Sequence, residues 1–132
     1  MASYFYDFVV YGGDPWAVAA AIACKKVRPA TSVAIVVDYP VMTQQQVNET
    51  GIAIPDALGG ISTIGGQCTW DDNTLGVVPQ GTYKIEMLNN TTRYYNPESL
   101  AWWLRDAVQR YGITVFHGYH ADSVTTLTNV YG

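Results

Sequence analysis

The run from Tyr6 to Ala21 limits the possible folds of this chain more than any other stretch. Asp7-Phe8-Val9-Val10-Tyr11 is short, mostly apolar and rich in β-branched and aromatic residues. Gly12-Gly13-Asp14-Pro15 breaks it sharply, and Trp16-Ala17-Val18-Ala19-Ala20-Ala21-Ile22-Ala23 is a strong helix former. A buried strand is therefore predicted to feed directly into a helix that begins at the turn. The N-terminus of such a helix presents unsatisfied N–H groups and the positive end of the helix dipole, a combination that can hold a pyrophosphate.

The helix is predicted from about Pro15 to Lys26, with Ala17, Ala20, Ala21 and Cys24 forming a small-residue stripe for close packing on a sheet. Lys25, Lys26 and Arg28 place positive charge at its C-terminal end, and Pro29 stops it. Ser32-Val33-Ala34-Ile35-Val36-Val37 is nearly continuous in apolar residues, the pattern of a parallel strand covered on both faces. The result is a βαβ unit. Asp38 follows directly, 21 residues after Ala17 (38 − 17). At about that spacing an acid can accept hydrogen bonds from the ribose of an adenine dinucleotide, although a solvated Asp at a strand end has the same local sequence.

Residues 39–58 read as a long polar connection with at most one short helical turn, and connections of this length tend to be functional or mobile. Leu58 to Asp72 is a second glycine-rich stretch in which Gly59-Gly60 and Gly65-Gly66 either let backbone approach a flat ligand or simply form two tight turns. A hairpin around Pro79 to Thr82 is expected within residues 75–94. The clearest helix follows: Asn96 as N-cap, Pro97 first, Glu98 in the first turn, Leu100, Trp103, Leu104, Ala107, Val108 and Tyr111 at helical spacing, then Gly112. Trp102 falls off that stripe. Ile113 to Phe116 is expected to be the next parallel strand, and Val124 to Tyr131 a further one.

One α/β domain is what 132 residues accommodate. A net charge of −4 with only seven Lys plus Arg, and no basic cluster, argues against nucleic acid or an anionic membrane as partner. Cys24 and Cys68 do not make a disulfide framework, no run is long enough for a membrane span, and the N-terminus lacks the pattern of a secretion signal. A cytoplasmic protein is expected. The sequons at Asn48, Asn89 and Asn90 mark secretion as the alternative.

Four pieces in order resemble the N-terminal portion of FAD-dependent oxidoreductases with a Rossmann-type FAD domain, in the group with a Gly-Gly-Thr-Pro-type turn: Val9 to Ala21, Val33 to Asp38, Leu58 to Asp72, and Tyr95 to Val115. The resemblance implies an α/β, Rossmann-like βαβ domain with a mostly parallel sheet, forming an incomplete FAD-binding domain. It implies FAD as cofactor, with Gly12, Gly13, Asp14, Pro15, Trp16 and Ala17 facing the pyrophosphate. Asp38 would face the ribose, and Gly59, Gly60, Gly65, Gly66 and Gln67 the pyrophosphate or flavin. In the fingerprint Gly-x-Gly-x-x-Gly, Gly12 holds the first position, Asp14 the second and Ala17, an accepted variant, the third. A carboxylate about 4 Å from a phosphate charge costs roughly 4 kcal/mol at an effective dielectric of about 20. As an N-cap, Asp14 would instead direct that charge at the helix, as Thr does in relatives, while occupying donors a phosphate needs.

Two functions are expected from these residues. One is the FAD-binding segment of a flavin-dependent oxidoreductase, completed by the remainder of such an enzyme. The other is a non-catalytic, degenerate module that assembles with itself or a partner through the Val124 to Tyr131 strand. Elsewhere the chemistry is bland. His117 and His120 with Asp122 are spaced poorly for a metal, Asp71-Asp72 reads as a turn, and Cys68 lacks a neighbouring base.

Overall fold

The structure, a computed structural model, describes residues 3–68 and 95–125. Its elements in chain order are β1 (Phe8–Tyr11), α1 (Pro15–Val27), β2 (Val33–Val37), α2 (Gln44–Thr50), a 3-10 turn (Gly60–Ser62), α3 (Pro97–Arg110) and β3 (Thr114–His117). The strands lie in the order β1-β2-β3, all parallel, with Val9 beside Ala34 and Ile35 beside Val115. The chain is an α/β protein with a small Rossmann-like parallel sheet.

Local chemistry explains each boundary. The Asp7 carboxylate accepts from Ser32 N–H and Oγ, both at 2.7 Å, and so latches the starts of β1 and β2 in register. Those bonds favour the charged carboxylate and hold it below its ordinary value. Asp14 caps α1, Pro15 occupies its first position, and Lys25 Nζ ties the C-terminal end to the carbonyls of Pro29 and Thr31 at 2.8 and 2.9 Å. Asn96 caps α3 by accepting from Ser99 N–H at 3.0 Å, and Gly112, at φ +61°, follows the helix end.

Residues Val10, Val33, Ile35 and Val37 share one sheet face, and onto it pack Val18, Ala21 and Ile22 of α1 with Leu104, Ala107 and Val108 of α3. Two crossovers of the same hand, running the same way across the sheet, put both helices on that face. A fully buried Leu104, Ile22 or Ile35 contributes about 2 kcal/mol by removal from water. On the opposite face Val9, Tyr11, Ala34, Val36 and Phe116 form an apolar surface rimmed by Tyr4, Tyr6 and Tyr119.

The small-residue stripe of α1 differs from expectation at Ala20, which is exposed, while Ala17, Val18, Ala19, Ala21 and Ile22 are buried. The helix packs against β1, β2 and α3 together, so its covered arc is wider than a single sheet contact would make it. In α3 the core positions are Leu100, Ala101, Leu104, Ala107 and Val108, with Trp103 and Tyr111 only half-buried. Trp102 is 49% exposed and lies under the Arg105 guanidinium.

Residues 39–58 hold one short helix, somewhat longer than the single turn expected, and a packed segment in place of a wholly polar connection. Thr43 and Gln46 form a capping box that starts the seven-residue α2, and Gly51 in the left-handed region ends it. Met42, Ile52, Ile54 and Ala57 then bury themselves against Ala101 of α3 as a second small core. The expected hairpin within 75–94, Asp71-Asp72 and the sequons at Asn89 and Asn90 lie outside the described residues. So does most of the Val124 to Tyr131 strand; Val124 and Thr125 themselves have no regular structure. No helix among the described residues is long and apolar enough to cross a membrane.

Candidate functional site

The carboxyl ends of parallel strands are where α/β sheets bind ligands, because the helices begin there and present their N-terminal N–H groups. Here that edge carries the turn after β1 (residues 12–14), Asp38 after β2, and Gly118 to His120 after β3. Gly12 sits at φ +132°, a conformation side chains rarely adopt, and donates its N–H to Val36 O at 2.8 Å. A Cβ placed there would only touch Ala17 Cβ at 3.7 Å. The requirement for glycine at this position is conformational.

Gly13 is constrained differently. A Cβ on it would lie 2.6 Å from Tyr39 Oη and 2.9 Å from Val37 Cγ1. Its missing side chain makes room for tyrosine. Asp14 turns its carboxylate inward, accepting from Ala17 N–H at 2.8 Å, and Pro15 has no N–H to give. The first turn of α1 therefore offers a phosphate fewer donors than an uncapped helix.

The second glycine-rich stretch reaches the first turn through Gly59, whose N–H donates to Gly13 O at 2.6 Å. Gly59 is itself packed by Thr63 and Leu104: a Cβ would lie 2.5 Å from Thr63 Cγ2 and 3.1 Å from Leu104 Cδ1. Thr63 Oγ1 donates to Leu58 O at 2.7 Å, and Tyr95 Oη to Ser62 O at 3.0 Å, which fixes the loop. Gly60, at φ +52°, has nothing within 4 Å of its Cβ direction and stays open. Gly65, Gly66 and Gln67 fold back on Gly60, Thr63 and Ile61 by backbone hydrogen bonds of 3.0, 3.0 and 3.1 Å, so they close the second turn on itself.

Tyr39 is the residue that joins these parts, and sequence reasoning missed it. It follows Val33, Ile35 and Val37 in strand parity, which alone predicts that it faces the helix side. Its hydroxyl donates toward Gly13 O and Ala57 O, each at 3.4 Å, and stands against the Gly60 N–H. Burial, with the nearby negative charges of Asp14 and Asp38, pushes the phenol up to about 12, so it stays protonated and neutral. Asp38 itself is exposed at the end of β2.

Beside this edge, His117 is half-buried against Tyr39, with ring centroids 6.0 Å apart. Burial lowers its pKa below the usual imidazole value, and the charge of Asp56 opposes the shift. Asp56 in turn pairs with Arg105 at 3.6 Å. His120 lies on the other side, its Nδ1 3.2 Å from Tyr11 Oη. The two imidazoles thus diverge, and no group of three His, Cys, Asp or Glu suited to a metal occurs among the described residues. Cys24 is half-buried and Cys68 is exposed; both are free thiols.

The fold and this edge define an α/β protein with a glycine turn and an acid at the ends of adjacent parallel strands. No protein-family model matches the chain, and no curated protein matches it.

Proposed function

We propose that the chain binds an adenine dinucleotide, FAD, at the carboxyl ends of β1 and β2, as the nucleotide-binding segment of a flavin-dependent oxidoreductase. One observation carries the reading: the Gly12 turn and the exposed Asp38 carboxylate close adjacent parallel strands joined by a helix that starts at the turn. Asp38 fits a ribose, whose hydroxyls donate to a carboxylate. The phosphate end is tighter, because Asp14 takes the Ala17 N–H that would face an anion and Gly13 is filled by Tyr39. A bound flavin would supply hydride acceptance; the residues of this chain would hold and orient it. Redox activity then requires the remaining polypeptide of such an enzyme.

The test is an absorption spectrum between about 300 and 550 nm after adding FAD and removing the excess, the range in which flavins absorb. Retained flavin bands that weaken on Asp38→Ala support the reading; a folded protein that retains none refutes it. A second reading, a non-catalytic module that pairs with a second copy, is favoured by the apolar sheet face of Val9, Tyr11, Val36 and Phe116. A colourless dimer in sedimentation, disrupted by Val9→Lys, supports that alternative.

A further inference from the structure

Next to Tyr39 a cavity of about 320 Å³ opens between the 39–58 segment and the second glycine turn, with Met42, Gln46, Gly60, Ile61 and Ile64 on its wall. Resting on the nucleotide reading above, we infer that this cavity takes the purine base of the nucleotide and that Gln46 is its specificity-determining hydrogen-bond donor. Size comes first. Small-molecule sites run from about 300 to 1,000 Å³, so this cavity suits one flat ring system and not a whole dinucleotide.

Shape follows from the walls. Gly60 has open space where its Cβ would be, leaving bare backbone on which a planar ring can lie. Ile61 is 70% exposed, an apolar side chain with no covering of its own. Met42 and Ile64 belong to the second core, which holds their side of the cavity in place. Tyr39, on the cavity wall, follows Asp38 directly, so the cavity and the carboxylate lie at the same end of β2.

Polarity comes from Gln46. Its Oε1 accepts from Thr43 N–H at 2.9 Å in the capping box, and a backbone donor there can be met only by the amide oxygen. The orientation of the amide is thereby set. Nε2 makes no hydrogen bond among the described residues and presents its two N–H groups as donors. Ring nitrogens of a purine are acceptors, the complementary partner.

Binding of ADP, FAD and FMN to the intact chain, measured by calorimetry, tests the assignment. Gln46→Glu keeps the cap, because a carboxylate oxygen serves the Thr43 N–H equally well, but it replaces the donor with an acceptor. ADP and FAD should weaken about tenfold with the melting temperature unchanged, and Ile61→Trp, which puts a large ring on the cavity wall, should change both affinities several-fold. FMN, having no purine, should not bind there. ADP affinity unchanged in both variants but lost in Asp38→Ala would place the base elsewhere and overturn the inference while leaving the nucleotide reading standing. Failure of the unaltered chain to bind ADP or FAD would overturn both.

Discussion

Replacing Tyr39 by phenylalanine removes a single oxygen from the junction of the two glycine turns. Both of its donor contacts are long, 3.4 Å to Gly13 O and to Ala57 O, so their neutral-pH contribution belongs at the weak end of the range, about 1 kcal/mol together. The sharper signature is pH dependence. Because the folded value is raised, the contribution is fully present below pH 10, the unfolded value, and is lost as pH rises through about 12. Linkage between those two values removes about 1.4 kcal/mol by pH 11, and the partial exposure of the ring reduces this to about 1 kcal/mol. Urea unfolding of both proteins at pH 8 and pH 11 measures it. The unaltered chain should be more stable than Tyr39→Phe at pH 8 and lose that advantage at pH 11. An advantage that stays constant across the two pH values would refute the placement of this phenol.

Gly13→Ala puts a methyl 2.6 Å from Tyr39 Oη and 2.9 Å from Val37 Cγ1, and should destabilise by about 1–3 kcal/mol. Part of that loss should return in the Tyr39→Phe background; strict additivity in the double-mutant cycle would show that the two residues do not touch. Asp14→Asn preserves an N-cap while removing a negative charge from the turn, so FAD should bind more tightly with little change in melting temperature, and unchanged or weaker binding would argue that the carboxylate does not face the phosphate. His117 has a lowered folded value, so the unfolded chain takes up a proton first as pH falls below 6.5, and stability present above that point is lost through the folded value. His117→Gln should flatten the fall in urea midpoint between pH 7.5 and 5; parallel curves for the two proteins would contradict the burial argument.

Much of this architecture is legible in short segments. The β-branched run of β2, the Asp14 and Asn96 caps and the stop at Gly112 each act within one turn or strand, through sterics and hydrogen bonds that neighbours in sequence decide. The short α2 was legible only as one helical turn somewhere in residues 39–58, because none of its residues is buried, leaving no apolar period to read; the Thr43/Gln46 pair marks its start. The buried role of Met42, Ile52 and Ile54 escaped notice for a related reason, since they pack on Ala101, far along the chain.

The sequence by itself determined the order strand, glycine turn, helix, strand and acid, and with it a parallel α/β sheet with Asp38 at the carboxyl end of β2. Only the tertiary structure decided what the glycines are for. Read locally, Gly13 and Gly59 leave backbone bare for a ligand; in the fold their space is filled by Tyr39 and by Thr63 with Leu104, and their own backbones are joined at 2.6 Å. Periodicity and capping are written into adjacent residues, whereas the side chain that fills the space above a glycine comes from whichever distant segment packs there.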